Sequence, residues 1–194
     1  MKVRYDMNWI DSIKNYIPYN NQEENDKKII LNSIYAFSNI LTRSNEVIHM
    51  TSSAFILNKH RDKTLMVHHN IYNSWCWTGG HADGDEDLLE VALNEAKEET
   101  GIKNIFPISD KVYALDIIPV FGHIKNGQYV SSHLHISVTY LMEADDSETV
   151  IVKEDENSGV KWIPVDEINT YSTEEHMKKI YNKILYKINK IVLE

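Results

Sequence analysis

Four glutamates set between two glycines carry the most legible chemistry in this chain. Residues 80–102 read Gly-His-Ala-Asp-Gly-Asp-Glu-Asp-Leu-Leu-Glu-Val-Ala-Leu-Asn-Glu-Ala-Lys-Glu-Glu-Thr-Gly-Ile. Glu95, Glu98 and Glu99 stand at i, i+3 and i+4, so a helix stacks their carboxylates on neighbouring surface. Like charges held that closely repel, and the helix gains nothing from them alone. A Mg²⁺ or Mn²⁺ ion reverses the balance, because hard cations take oxygen ligands.

The spacing is also a signature. Gly80, five residues, Glu86, seven residues and then Asn94-Glu95-Ala96-Lys97-Glu98-Glu99-Thr100-Gly101-Ile102 closely resembles the Nudix box. Asn94 stands where the family usually carries Arg. The resemblance implies a metal-dependent hydrolase, with Mg²⁺ or Mn²⁺ as cofactor. Its substrate would be a nucleoside diphosphate linked to another moiety, cleaved at a phosphoanhydride by water attack at phosphorus. The need for a cation is physical: phosphoryl oxygens repel a nucleophile and the leaving phosphate gains charge, and a bound cation offsets both. By resemblance, Glu98 and Glu99 are direct or water-mediated metal ligands. Glu95 is a further ligand or orients the water, and the Gly80 carbonyl is an additional ligand. Glu86 supports the loop and, in the usual box, pairs with the Arg that is missing here. Asn94 still makes hydrogen bonds but removes a charge-assisted, bidentate contact. The resemblance implies that the general base, or another metal ligand, comes from a Glu on a loop shortly before a Trp strand. Lys153-Glu154-Asp155-Glu156-Asn157, ahead of Trp162, fits that place, with Glu156 the choice and Glu154 the reserve. The bland alternative is a solvated acidic turn. Glu95, Glu98 and Glu156 are thus the expected catalytic residues.

Substrate contacts are expected from Trp75, which can stack on a base, and from His81, His133 and His135. The last two share one face of a strand and His81 follows the box glycine. The alternative for these imidazoles is a zinc triad. Trp77 reads as core. Cys76 has no base nearby in sequence and reads as a small buried hydrophobe. Two other functions compete with hydrolysis. An isopentenyl-diphosphate isomerase of the same fold would need a thiol at position 79, which Gly79 does not supply. A non-catalytic nucleotide-binding regulator is expected to lose box glutamates, and all four are present.

The elements that must position these groups follow from periodicity. Trp9, Ile10, Ile13, Tyr16 and Ile17 form an apolar stripe ended by Pro18, and Ile30, Ile34, Phe37 and Leu41 form a second over residues 23–42. These helices could cap the core or pair with a second subunit in a homodimer. Residues 52–57 and 64–68 read as a hairpin across 59–63. In the box helix, Asp87 and Glu90 suggest a capping box, Leu89, Ala92, Leu93, Ala96 and Thr100 the buried face, and Gly101 the left-handed end. Residues 112–121 and 129–142 read as strands joined around Asn126-Gly127. In the second, Leu134, Ile136, Val138 and Tyr140 alternate with His133, His135, Ser137 and Thr139, one buried face and one polar. A short strand spans 159–163. Ser172 and Glu175 suggest a capping box for a last helix with Met177, Ile180, Ile184, Ile188 and Ile191 inward. Mixed strands between helices predict an α/β/α sandwich, the Nudix arrangement, over residues 49–194, preceded by an N-terminal helical extension, residues 1–48.

The bulk properties agree. A chain of 194 residues, 42% hydrophobic and 25% charged, suits one soluble domain with a small accessory part. A net charge of -9 argues against a nucleic-acid polymer as partner but not against a small nucleotide met through a metal. One cysteine excludes an internal disulfide, and no run approaches the ~18 apolar residues of a membrane span. A cytoplasmic protein, with no membrane partner, is the expectation.

Overall fold

The computed structural model describes residues 8–125 and 127–191. Helices α1 (Trp9–Asn15) and α2 (Asn21–Ala36) come first. Strands β1 (Ile48–Asn58), β2 (Lys63–His69), β3 (Ser74–Cys76) and β4 (Thr78–His81) lead into α3 (Leu88–Thr100). Next are β5 (Ile105–Pro107), β6 (Ala114–Val120), and a ribbon of β7 (His123–Lys125) and β8 (Gln128–Val130). Strands β9 (His133–Ala144) and β10 (Asn157–Pro164) follow, then the short α4 (Ile168–Tyr171) and the closing α5 (Glu175–Ile191).

The main sheet runs β10-β2-β1-β9-β5, with β3 beside β2, β4 beside β1 and β6 beside β9. Its centre is the parallel pair β1 and β9, in register from Ile48 opposite Leu134 to Asn58 opposite Ala144. The remaining pairs are antiparallel. Strand alternation then divides the core in two. On one face Met50, Ile56, Ile136, Val138 and Met142 pack with Trp9, Ile13, Ile30 and Ile34 of the first helices and with Leu88, Ala92 and Ala96 of α3. On the other, Phe55, Leu57 and Leu141 pack with Met177, Tyr181, Ile184 and Ile188 of α5. The result is the expected α/β/α sandwich with a mixed sheet. Among the described residues no helix is long and apolar enough to cross a membrane.

A buried ion cluster crosses these layers. Lys183 of α5 lies 2.9 Å from Glu23 of α2 and 2.5 Å from Asp116 of β6, and all three are almost wholly buried. Tyr16 donates to Glu23 at 2.5 Å. Breaking a buried ion pair strands a charge away from water, so the cluster fastens the N-terminal helices to the sheet and to the last helix.

Several elements differ from the sequence reading, each for a tertiary reason. Helix α1 ends at Asn15, which leaves Ile17 85% exposed and outside the stripe. Helix α2 stops at Ala36 rather than at residue 42. Phe37 is extended and largely out of the core, while Ile40 turns inward and its carbonyl accepts from Met50 N–H at 2.8 Å. Strands β6 and β9 pair directly, Ala114 opposite Thr139 through Val120 opposite His133, and Tyr129 belongs to the separate ribbon. Asn126 lies outside the described residues; Gly127 takes φ +76°. On the polar face of β9, Ser137 is almost wholly buried at the base of the cleft and Thr139 is wholly buried. In α3 the buried face is Leu88, Val91, Ala92, Ala96, Glu99 and Thr100, with Leu89 and Leu93 half-buried. The Ser172–Glu175 capping box does not form: Ser172 ends α4, and its buried hydroxyl has no partner among the described residues. The Ile191 side chain is outside the described set.

Candidate active site

Helix α3 starts and stops where its sequence directs. Asp87 accepts from Glu90 N–H at 3.0 Å, and its own N–H goes to Asp85 at 2.9 Å. Gly101 closes the helix at φ +72°, and its N–H reaches the Lys97 carbonyl. Between those ends the helix presents Glu95 and Glu99 to β4. A Cβ on Gly80 would overlap the Glu95 carboxylate, so glycine there lets the carboxylate lie against the strand backbone. Gly79 N–H donates to Glu99 Oε2 at 3.1 Å.

Glu156 joins them from the other side of the cleft. Its turn is held by Glu156 N–H to the Lys153 carbonyl at 2.9 Å and by Asn70 N–H to the Glu156 carbonyl at 3.1 Å. Asn157, the first residue of β10, donates from its side chain to the Glu99 carbonyl at 3.1 Å and ties the turn to the helix end. One carboxylate oxygen from each of Glu95, Glu99 and Glu156 lies within 4.8 Å of the others. Burial, opposed by the Gly79 hydrogen bond and reinforced by Glu95 and Glu156, pushes Glu99 up to about 8. Burial, then Glu156 and Glu98, also raises Glu95. Three oxygen donors gathered so tightly, two of them resisting ionisation, form a set suited to a hard divalent cation.

Glu98 stands apart from this trio. Its side chain is 63% exposed and pairs with Lys153 at 3.5 Å. Lys153 also lies 3.2 Å from Glu156, so one ammonium bridges two acidic residues of the site, a role the sequence reading did not assign. Glu154 contributes its carbonyl to Asn70 at 3.2 Å.

The box loop is held differently from the expectation. Glu86 and Asn94 are exposed, and neither side chain has a hydrogen-bonding or ionic partner among the described residues. Instead Arg43 makes a bidentate pair with Asp83, at 2.8 and 2.5 Å, and Gly84 N–H reaches the Leu41 carbonyl at 3.0 Å. The segment between α2 and β1 thus clasps the loop that the missing Arg would have braced. The ending of α2 at Ala36 makes that segment available.

A cleft of about 460 Å³ opens over the carboxylates. Its floor is Thr51, Ser53 and Ser137, and its walls include His81, His135, Ile118 and Met177. His69 and Tyr72 line it as a pair of rings 4.5 Å apart, from a turn that carries no motif. Trp75 does not line the cleft; it packs edge-on against His68 and Tyr171. Trp77 is buried against Tyr181 and touches the cleft wall. Burial pushes the Cys76 thiol well up, consistent with an inert buried side chain. His133 lies beside His135, with their Nε2 atoms 3.1 Å apart.

Known proteins are similar to this chain in sequence and in fold. A NUDIX domain model matches residues 47–184. An asymmetrical bis(5'-nucleosyl)-tetraphosphatase of Rattus norvegicus is 31% identical over 113 residues, covering 58% of this chain and 67% of the relative. A probable DHNTP pyrophosphohydrolase of Lactococcus lactis is 28% identical over 148 residues, covering 74% of this chain and 82% of the relative. Among solved structures, an Ap4A hydrolase of C. elegans has the same fold, with a TM-score of 0.52 at 17% identity over 73% of this chain and 98% of that one. With the domain match spanning most of the chain, this protein belongs to the Nudix hydrolase family.

Proposed function

We propose that the protein hydrolyses a phosphoanhydride bond in a nucleotide-like polyphosphate, with a divalent cation held by Glu95, Glu99 and Glu156. The convergence of those three carboxylates on one cleft is the observation that carries this reading. The donor set is all oxygen, which suits Mg²⁺ or Mn²⁺. The Gly80 carbonyl and Glu98 are proposed as further ligands, Glu98 by releasing Lys153. When bound, the cation neutralises phosphoryl charge and lowers the cost of water attack.

The chain's own groups do the rest. Glu156, partly exposed and facing the cleft, takes the proton of the attacking water, and Glu95 orients that water. Lys153 adds positive charge at the rim. Thr51, Ser53 and Ser137 offer hydroxyls on the cleft floor. His69 and Tyr72 offer ring faces on which a planar base or pterin stacks. Both curated relatives described above are named for polyphosphate substrates, a dinucleoside tetraphosphate and DHNTP. We extend that class to this chain: a planar heterocycle carried on three or more phosphates.

A panel of nucleoside di- and triphosphates, dinucleoside tetraphosphates and pterin triphosphates, assayed with Mg²⁺ and with Mn²⁺, tests the reading. Turnover of at least one member is expected. Glu156→Gln should lower kcat by about 100-fold or more, the usual contribution of a general base, with the fold intact by circular dichroism. No turnover by folded protein would overturn the proposal. Full activity in Glu156→Gln would remove Glu156 as the base.

A further inference from the structure

Four imidazoles meet on the sheet face beside the carboxylates. Strand β1 lies between β9 and β4, with His49 directly opposite His135 and Thr51 opposite His81. His133, two residues before His135, shares its face of β9. The ring centroids of His49 are 5.1, 4.9 and 4.9 Å from those of His81, His133 and His135. One ring nitrogen from each of His49, His81 and His135 lies within 4.8 Å of the others.

We propose that His49, His81 and His135, with His133 as a fourth donor, form a binding site for a divalent transition-metal cation of the Zn²⁺ class, distinct from the carboxylate site. His49 is 4% exposed, and its Nε2 is buried without a hydrogen-bond partner among the described residues. Its Nδ1 lies 2.8 Å from the Asn45 carbonyl, which can only accept, so Nδ1 carries the proton and Nε2 the lone pair. His133 repeats the pattern, with Nδ1 2.8 Å from the Ser131 carbonyl and Nε2 turned to His135. An imidazole whose distal N–H is given to a backbone carbonyl is oriented as a metal ligand is oriented.

The spacing fits as well. Zn–N bonds of about 2.0–2.1 Å in a tetrahedron place ligand nitrogens roughly 3.3 Å apart. His133 and His135 are already at 3.1 Å, and the nitrogens of His49, His81 and His135 need to close on one another by no more than about 1.5 Å. Without a cation, His135 as its Nε2–H tautomer donates to His133 Nε2; a bound cation would release that proton and replace the hydrogen bond with shared coordination.

The competing role for these rings is to bind phosphate through positive charge. Burial first, then Arg43 and His49, pushes His81 down to about 3. Burial, then His81, His49 and His133, pushes His135 down to about 2. The geometry agrees, because the Asn45 and Ser131 carbonyls take the Nδ1 protons of His49 and His133 and leave their Nε2 atoms to offer lone pairs. Imidazole nitrogen also sorts the two sites chemically. Four nitrogens favour Zn²⁺, Co²⁺ or Ni²⁺, while the glutamates favour Mg²⁺ or Mn²⁺. The inference stands apart from the hydrolase reading, because it concerns a second cation and is read by binding.

Chelator-treated protein, titrated with Zn²⁺ by calorimetry in excess Mg²⁺, should bind one equivalent. Co²⁺ used as the probe should give the intense visible bands of a four-coordinate nitrogen site. His81→Asn and His135→Asn should each weaken Zn²⁺ binding by about 100-fold, while Glu95→Gln leaves it within about 2-fold. Melting curves in chelator separate a lost ligand from a lost fold, and His81→Asn, at a partly exposed strand end, serves if His135→Asn unfolds. No Zn²⁺ uptake by the folded wild type would overturn the site. So would uptake that survives both histidine changes and disappears in Glu95→Gln, which would put zinc on the carboxylates.

Discussion

Glu99→Gln probes whether the carboxylate trio is held at a cost when no cation is present. Glu99 is 5% exposed, and burial pushes its folded-state value from 4.5 to about 8. A carboxyl group raised in this way costs nothing below its unfolded value and progressively more as pH rises toward its folded value. At about 1.4 kcal/mol per pH unit, the interval from 4.5 to about 8 bounds that cost at roughly 5 kcal/mol above pH 8 and roughly 3 kcal/mol at pH 7. Glutamine keeps an oxygen for the Gly79 N–H and cannot ionise, so it escapes the cost. In chelator, urea denaturation should therefore show Glu99→Gln more stable than wild type at pH 8, by about 2–5 kcal/mol, with the difference gone by about pH 4. Adding Mg²⁺ should reverse the order, since only the native carboxylate gains the linkage energy of binding. Parallel pH profiles for the two proteins, with no Mg²⁺ effect on either, would refute the reasoning.

Lys183→Met leaves Glu23 and Asp116 buried without their shared cation and should cost about 3–5 kcal/mol by urea denaturation. A loss under about 1 kcal/mol would show that the cluster is not the fastening described. Gly80→Ala should displace the Glu95 carboxylate and weaken Mg²⁺ binding by about 10-fold or more, while the melting temperature in chelator stays close to wild type. Arg43→Met removes an exposed pair, so global stability should fall by less than about 1 kcal/mol. Hydrogen exchange of the Asp83–Asp87 amides should nonetheless speed up, and Asn94→Arg should restore part of their protection. Unchanged exchange would mean that Arg43 does not clasp the loop.

What the sequence made legible was local. The Asp87 N-cap and the Gly101 stop lie within a few turns of one helix and appear as read, whereas Glu98 turns from Glu95 and Glu99 toward Lys153. The position of Glu156 beside Glu95 and Glu99 agrees with the reading of an acidic turn ahead of a Trp strand. Strand pairing and tertiary contact were out of reach. His49 carries no motif; only the register of β1 against β9 and β4 brings it to the other imidazoles. Arg43 meets Asp83 across forty residues, and Lys183 meets Glu23 across most of the chain. The apolar period of α2 runs on through Phe37 and Leu41, but the inward turn of Ile40 toward β1 ends the helix first. Ser137 lines the cleft with His135, while Thr139 on the same face is wholly buried, because alternation reveals two faces and not what covers them.

The central claim is that Glu95, Glu99 and Glu156 hold a cation that drives phosphoanhydride hydrolysis. The most direct measurement is Mg²⁺-dependent turnover of a dinucleoside tetraphosphate in ¹⁸O-labelled water, for wild type and for Glu95→Gln and Glu99→Gln. The account predicts one ¹⁸O incorporated per cleavage into a phosphate product, no turnover in chelator, and a loss of about 100-fold or more in both variants with folding retained. Turnover that persists in chelator or in both variants, or label that appears on carbon, would contradict it.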